Sequence, residues 1–561
     1  MRLPGVVLVC VVLLLYGRSL TWGFVFDDWW HLHRMEQYHH GERQSLGLYR
    51  FLSGGADNAQ VRSLGLYPWW LGEDVRYQHF RPLAEWALYA QYLFFGDRPA
   101  GFHAVSLALY ALGVWIAWRV MRRVAGDGPI ARWGALAYAV AGAHAVPAVF
   151  ISAQCDLLAL VLVGCSVLAG DRFIRDGPTA GLVGCLLFFV GALGAKEVAL
   201  GAAALPICLG MAFGDRPGAF RRAVVLTAAL CGAGVGWLYL YSHGGYGANN
   251  SPMLDPLHAP LDYLAALPSR ALALLTAWLV PLNPFVFYVR PWGGPWLLGY
   301  LIVGAIGLTA VGVHFRRRHH GDRRAKGMAL WAAPFLPLLV CTPPDDRNML
   351  LPGIGLAFLG AAWMTRPRDD GSVRLRKVPM VLFLLLQAPA ALVVSQIMRA
   401  AESSGARLLV EAGDDFGREQ TANDCIFFLN VRNDFHLLFT QLWEKRQPAG
   451  ACPRIAMLSD VPQPRVTAPD DRSLLIEADK DALFSGFFGR MAESRDRPRQ
   501  EGDLFDAGEF EGRITKMERG EVRAVELLFR RPLSDDAYRF YFIEDDGSVS
   551  RWRPATSPPG Q

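Results

Sequence analysis

The sequence predicts a polytopic α-helical membrane protein with about eleven transmembrane helices over residues 1–398 and a polar α/β domain over residues 399–561. Three observations lead there. Hydrophobic residues make up 52% of the chain and fall in long uninterrupted blocks, as solvation by lipid requires. The arginines between the blocks come in short clusters, the pattern of loops kept on the cytoplasmic side. Beyond residue 398 the blocks stop, and strand-like and helical patterns mix with charge. The net charge of +5 would admit a nucleic-acid partner, but the basic clusters sit in loops between spans and no nucleic acid is expected.

The first block, Leu3 to Gly17, is barely long enough to cross a membrane. No small-residue cleavage pattern follows it in "GRSLTWGFVFDD", so it reads as a retained helix. Further spans are expected at 102–118, 133–153, 155–170, 179–195, 198–213, 223–241, 296–313, 327–342, 349–365 and 378–398. With a cytoplasmic N-terminus, the clusters at Arg122, Arg123 and Arg132, at Arg221 and Arg222, in "RRRHHGDRRAK" and in "RPRDDGSVRLRK" share one side. The segment Ser269 to Gly294 is apolar enough to span. A full crossing would put the basic 316–326 loop outside, so the segment is expected to be re-entrant or interfacial, broken by Pro281 and Pro284. This parity places on the outer face the long loop at about 23–100, the "AKE" junction, the "TPPDDRN" loop and the tail.

In the tail, "ARLLVEA", "CIFFLNV", "RIAMLSD" and "SLLIEAD" read as strands and "DFHLLFTQLWEKR" as a helix. Hairpins are expected to turn at Arg519-Gly520 and Asp546-Gly547, and "ESRDRPRQEGD" reads as an exposed loop. Seven of the nine cysteines fall in or beside apolar blocks as small packing residues. Cys425 and Cys452 lie in the polar tail, where an oxidising compartment would allow a disulfide.

The residues with chemical potential cluster at the expected outer boundary. Asp27 and Asp28 stand where the first apolar run meets water, among Trp22, Trp29 and Trp30. Two readings fit: a solvated helix end with interfacial aromatics, or a general base kept ionised near an apolar surface. His31 and His33, followed by His39 and His40, would with these acids also suit a divalent metal, although nothing requires one and the cofactor stays open. Arg81, beside Pro82, fixes a cation suited to a phosphate or a lipid headgroup. Lys196 and Glu197 interrupt a long uncharged stretch, where ionisable groups are usually paired or functional. Sequence neighbours do not face each other on a helix, so each needs another partner. Arg347, with Asp345 and Asp346, reads as an interfacial anchor or a clamp on a lipid-linked phosphate.

Taken in order, "FVFDD", "FRPL", "FFGDRPAGFHAVSLAL", "HAVPAVFISAQCDLLA", "GAKEVALGAAALP" and "DDRNMLLPGIGLAFL" resemble the membrane part of the transmembrane-and-tetratricopeptide O-mannosyltransferases and their bacterial relatives. These belong to the GT-C superfamily, with the protein O-mannosyltransferases as kin. The resemblance covers roughly residues 1 to 365. It implies a GT-C glycosyltransferase of the bacterial inner membrane, inverting, with its tail extracytoplasmic. Such an enzyme would move a sugar, as a mannosyl- or other hexosyltransferase, from a polyprenyl-phosphate donor to a hydroxyl of a protein, lipid or glycan acceptor. By position the catalytic carboxylate maps to Asp27 or Asp28, with Asp27 favoured. Arg81, Lys196 and Arg347 would offset the leaving phosphate, and His103, His144, Asp156 and Glu197 would complete the substrate site. The chain departs from the family pattern at Ser106, Tyr110, Ala141-Gly142, Val146 and Gln154, and it has no tetratricopeptide tail. The alternative reading is a non-catalytic GT-C-derived scaffold that binds a lipid-linked glycan or anchors an envelope complex. A transporter should show internal inverted repeats, and none is evident.

Overall fold

In lipid a chain must satisfy its own peptide groups, and a helix does so within one segment. The computed structural model describes residues 4–214, 216–256, 258–289, 293–318, 321–367, 373–375, 377–414, 424–431 and 454–554. Among these, five helices are long and apolar enough to cross a membrane: Pro99–Ala125, Ile151–Asp176, Ala219–His243, Gly294–Arg317 and Val378–Ala400. Shorter apolar helices cover Gly5–Thr21, Thr179–Ala195 and Glu197–Ala212. Large apolar side chains stand exposed along their outward faces, among them Leu14, Leu187, Val235, Ile306 and Leu385. So much exposed apolar surface marks a face turned to lipid, and the chain is an integral membrane protein.

Two expected spans are not single helices. The 133–153 block forms the helix Pro129–Ala139 and then the short turns Gly142–His144, Ala145–Val149 and Ile151–Ala153. The helix is interrupted where the Gly142 amide donates to Gln387 Oε1 at 2.9 Å instead of to a helical carbonyl. The 327–342 block splits into Arg323–Ala329 and Leu336–Leu339, because Pro334 and Pro337 lack the amide a continuous helix would use. Around residue 280 the prolines act as expected: the helix Pro260–Leu279 ends before Pro281, and the short helix Val286–Val289 starts after Pro284.

In the tail the expected strand at 406–412 is helical. The helix Lys377–Asp414 runs 38 residues through position 398. Alanine, leucine, glutamate and arginine are strong helix formers, and an existing helix extends without a second nucleation. Beyond it lie two sheets. One is antiparallel, in the order Leu504–Asp506, Phe510–Glu518, Glu521–Phe529, Ser473–Glu477, Arg465–Thr467. The other runs Val549–Trp552, Tyr538–Ile543, Cys425–Phe428, Arg454–Met457, with the last two pairings parallel. The hairpin at Arg519-Gly520 turns with both residues at positive φ, 54° and 80°, the geometry that suits a two-residue loop between twisted strands. Gly547, φ 84°, turns the other hairpin. The expected helix at 434–446 and Cys452, with its pairing to Cys425, lie outside the described residues.

Two large hydrophobic cores follow among the described residues, with a small third cluster of Val25, Phe150 and Ala153. One fills the bundle. The other runs without a break from the 24–102 segment into the tail, joining Trp30, Trp70, Leu88 and Phe102 to Phe427, Leu474, Phe510 and Tyr541. Trp69 sits at this junction: its Nε1 donates to the Leu458 carbonyl at 3.1 Å, and its ring lies so close to Gly512 that a Cβ there would collide with it. The "ESRDRPRQEGD" segment is not a free loop. Ser494 is buried and bridges to Asn250, and Asn249 donates to Ser494 Oγ at 3.2 Å and to Asp496 Oδ2 at 3.1 Å. At the opposite end of the bundle the basic loops gather, with Arg123 and Arg175 both on Asp171 and Arg216 on Asp176.

Candidate functional site

At the loop-bearing end of the bundle, a cavity of about 250 Å³ lies between the start of the helix Asp27–His39, the Lys196-Glu197 junction and the turn Asp346–Met349. The tail closes one side with Phe487, Phe488 and Met491 from the short helix Phe487–Met491. That helix is fixed to the membrane part by Arg490, which donates to the Tyr288 carbonyl at 3.1 Å, and by the Phe285–Phe487 ring contact.

Asp27 is the first residue of its helix and lines the cavity. Among the described residues its carboxylate makes no hydrogen bond or ion pair. Burial pushes its pKa up to about 6, against the pull of the Arg347 and Arg81 charges. Asp28 points elsewhere. It is 2% exposed, and Ser152 donates to its Oδ1 from the backbone amide at 2.8 Å and from the hydroxyl at 2.6 Å. Burial raises it further, to about 7, despite those bonds. The two adjacent acids therefore have different surroundings, as a rotation of about 100° per helical residue dictates.

Three cations line the same cavity, and each is already paired. Arg81, just before the helix Pro82–Phe95, makes a two-pronged contact with Glu197, Nε to Oε2 at 2.9 Å and Nη2 to Oε1 at 2.5 Å. Its guanidinium also sits 4.9 Å over the Tyr49 ring. Lys196 bonds Asp156 and lies 3.3 Å from Asn348 Oδ1. Arg347 Nε lies 2.8 Å from Asp345 Oδ2. Lys196 and Glu197 thus turn to different partners, as their adjacency requires, and Asp156 stands behind the wall as the counter-ion of Lys196. Burial and the neighbouring Arg81 push His79 down to about 3, so its 3.5 Å approach to Glu197 is that of a neutral ring.

The structure does not bring His103 and His144 to this cavity. His103 Nε2 faces the Gly23 carbonyl at 3.3 Å beside Trp22. His144 is fully buried, with Nδ1 3.2 Å from the Tyr110 hydroxyl and its ring against Tyr138 and Trp278. A small polar side chain at 106 and a tyrosine at 110 leave these helices packed on their own aromatics. His31 meets Ser152 and Tyr49. Among the described residues no three His, Cys, Asp or Glu side chains group as a metal ion would require.

His79, Asn348 and the tail's Phe487, Phe488 and Met491 join the cavity without having been expected there. His79 had a local signal, because in the extended "YQHFR" stretch it falls on the same side as Arg81. The tail residues had none, since nothing local ties residue 488 to residue 27.

No family model and no curated protein matches the chain. Among solved structures it is similar to ArnT from Cupriavidus metallidurans, in the apo state and bound to undecaprenyl phosphate. Identity is 15% over 81% of this chain and 85% of that one, with TM-scores of 0.39 and 0.38. It is also similar to the Archaeoglobus fulgidus oligosaccharyltransferase tethered with an acceptor peptide, at 12% identity over 81% of this chain and 63% of that one, with a TM-score of 0.39.

Proposed function

We propose that this chain is a membrane glycosyltransferase that moves a sugar from a polyprenyl-phosphate donor to an acceptor hydroxyl on the extracytoplasmic face. One observation carries the reading: an unengaged carboxylate, Asp27, shares a cavity with Arg81, Lys196 and Arg347 at the end of a lipid-facing bundle. The ordered motifs from "FVFDD" to "DDRNMLLPGIGLAFL" support it.

Asp27 takes the proton of the acceptor hydroxyl as that oxygen attacks the anomeric carbon from the side opposite the phosphate. The bond from carbon to phosphate oxygen breaks, and its electron pair leaves on the polyprenyl phosphate. Configuration at the carbon inverts. The leaving phosphate gains charge as the bond breaks, and fixed cations offset it best when they need no rearrangement. The pairing of Arg81 with Glu197 and of Lys196 with Asp156 supports such fixed placement, and each cation keeps further N–H donors for the phosphate. Phe487, Phe488 and Met491 support a tail that limits which acceptors enter.

A base near pKa 6 is ionised at neutral pH and protonated below it. Transfer should therefore hold between pH 7 and 8 and fall about tenfold per unit well below pH 6, as for any single essential base. The deciding experiment supplies undecaprenyl-phosphate hexoses to the detergent-solubilised chain together with an envelope extract that carries protein, lipid and glycan hydroxyls as acceptors, and follows release of undecaprenyl phosphate. Asp27→Asn keeps the shape and removes the basicity, so release should fall roughly 100-fold or more with donor binding retained. Full activity of folded Asp27→Asn would sink the assignment. Donor binding without turnover by any wild-type preparation would favour the scaffold reading, to which the counter-ions already present on all three cations lend support.

A further inference from the structure

Asp28 does not reach the cavity, yet it is held from two directions. Its Oδ2 accepts the Val25 amide at 3.1 Å while its own amide donates to the Val25 carbonyl at 2.9 Å, closing a ring around Phe26 and Asp27. Its Oδ1 accepts both the amide and the hydroxyl of Ser152. The Ser152 hydroxyl lies 3.2 Å from Nδ1 of His31, one turn further along the same helix. Inside the ring, Phe26 sits at φ 46° and ψ −120°, a conformation a residue with a bulky side chain adopts only when its surroundings impose it. The Phe26 ring packs edge-on against Phe150, two residues before Ser152. The chain on both sides of the strained residue is thus fastened to one short stretch, 150–152. Fastening Asp28 to that stretch rotates its neighbour the other way, and Asp27 enters the cavity.

We propose that Asp28 and Ser152 form a clamp that keeps the strained Phe26 turn closed and so positions the Asp27 carboxylate toward the reacting groups, without touching substrate themselves. The proposal rests on the reading of Asp27 as the base. It explains why two acids stand side by side at this point of the chain: one works and the other aims it.

The test uses the full-length chain in detergent and two readouts. The first is the rate at which a hydrophobic carbodiimide labels Asp27 at pH 6, followed by peptide mass spectrometry, which needs no sugar substrate. The second is release of undecaprenyl phosphate from undecaprenyl-phosphate hexose in the presence of an envelope extract supplying acceptor hydroxyls. Ser152→Ala removes the hydroxyl and keeps the amide; Ser152→Thr keeps both. Ser152→Ala should change the Asp27 labelling rate at least about threefold and lower kcat about tenfold with donor KM within about twofold, as expected of a residue that acts on the transition state through another group. Ser152→Thr should stay within about threefold of wild type on both readouts, and adding Ser152→Ala to Asp27→Asn should cost nothing more, the non-additivity of residues acting as one unit. Asp28→Asn, where it folds, should exceed Ser152→Ala, because its amide cannot accept from Val25 and Ser152 together. Wild-type labelling and kcat in folded Ser152→Ala would overturn the clamp and leave the functional reading intact. An equal tenfold loss in the Asp27→Asn background would overturn it too. If wild type turns over no hexose donor but the labelling pattern holds, the functional reading falls and the clamp stands.

Discussion

The helical bundle and the assembly at its loop-bearing end are held together differently. In the bundle, small residues let helices approach: Gly113 lies against Leu160 and Gly164 against Ile116, with no room for a Cβ at either. Lipid supplies no hydrophobic drive between helices, so close contact has to serve instead. In the assembly formed by residues 24–102 and the tail, large rings fill a core shaped in water, with Trp30, Trp69, Trp70, Phe427 and Phe510 at its centre. The Trp69 indole reaches backbone at the Leu458 carbonyl, and arginines tie loop to sheet, as Arg62 does to the Asp506 carbonyl at 2.8 Å. Stability is therefore exposed unevenly: truncating a side chain should matter greatly in the water-built core and little on the lipid face.

The largest effect is expected of Trp69→Ala. Loss of a buried ring should cost roughly 3–5 kcal/mol and loosen the tail from the loop, since the same ring touches both. Thermal unfolding with limited proteolysis of the tail checks it; a loss below about 1 kcal/mol would mean that loop and tail are separately stable. Next comes the boundary between the regions. Lys196→Met leaves Asp156 buried without its counter-ion, with only the weak Cys155 thiol donating to it at 3.7 Å, and should cost about 3 kcal/mol, while Lys196→Met with Asp156→Leu should recover much of it, because an ion pair replaced whole is cheaper than one half removed. Failure of the double variant to recover would show that the site does not accept apolar side chains in place of the pair. The smallest effect belongs to Leu187→Ala on the lipid face, 69% exposed. Exchanging protein methyls for lipid methyls should shift stability by less than about 0.5 kcal/mol; a shift like that of Trp69→Ala would place this face against protein instead.

The same contrast sets what could be read in advance. The lipid-facing helices were legible because hydropathy is a local signal that a uniform solvent enforces, and Thr179–Ala195 falls on the block expected for it. The blocks 133–153 and 327–342 were not, because a glycine amide captured by Gln387 and a pair of prolines interrupt runs whose hydropathy does not change. In the tail, turn chemistry at Arg519-Gly520 was readable, whereas "ARLLVEA" followed the helix already behind it rather than its own strand-like pattern. The cavity falls between these cases. Asp27, Arg81, Lys196, Glu197 and Arg347 were each conspicuous as charges at an apolar boundary, and all five line one cavity. His103 and His144 were singled out by motif position alone, and both lie packed among aromatic rings away from it.

The helix Lys377–Asp414 has a mechanical consequence. At 1.5 Å per residue its 38 residues form a rod of roughly 57 Å, about twice the hydrocarbon thickness of a bilayer of about 30 Å. Its apolar part, Val378–Ala400, is held by the membrane, while the charged remainder projects beyond. A rod anchored at one end is a lever. Bilayers of different thickness change the tilt of a spanning helix, and a tilt of about 10° at the anchored half displaces the free end of such a rod by several ångströms. The bend that could absorb the motion is at Pro389, within the membrane rather than at its surface. The thickness of the surrounding lipid should therefore set the tilt of this helix and with it the height at which its charged end stands above the bilayer.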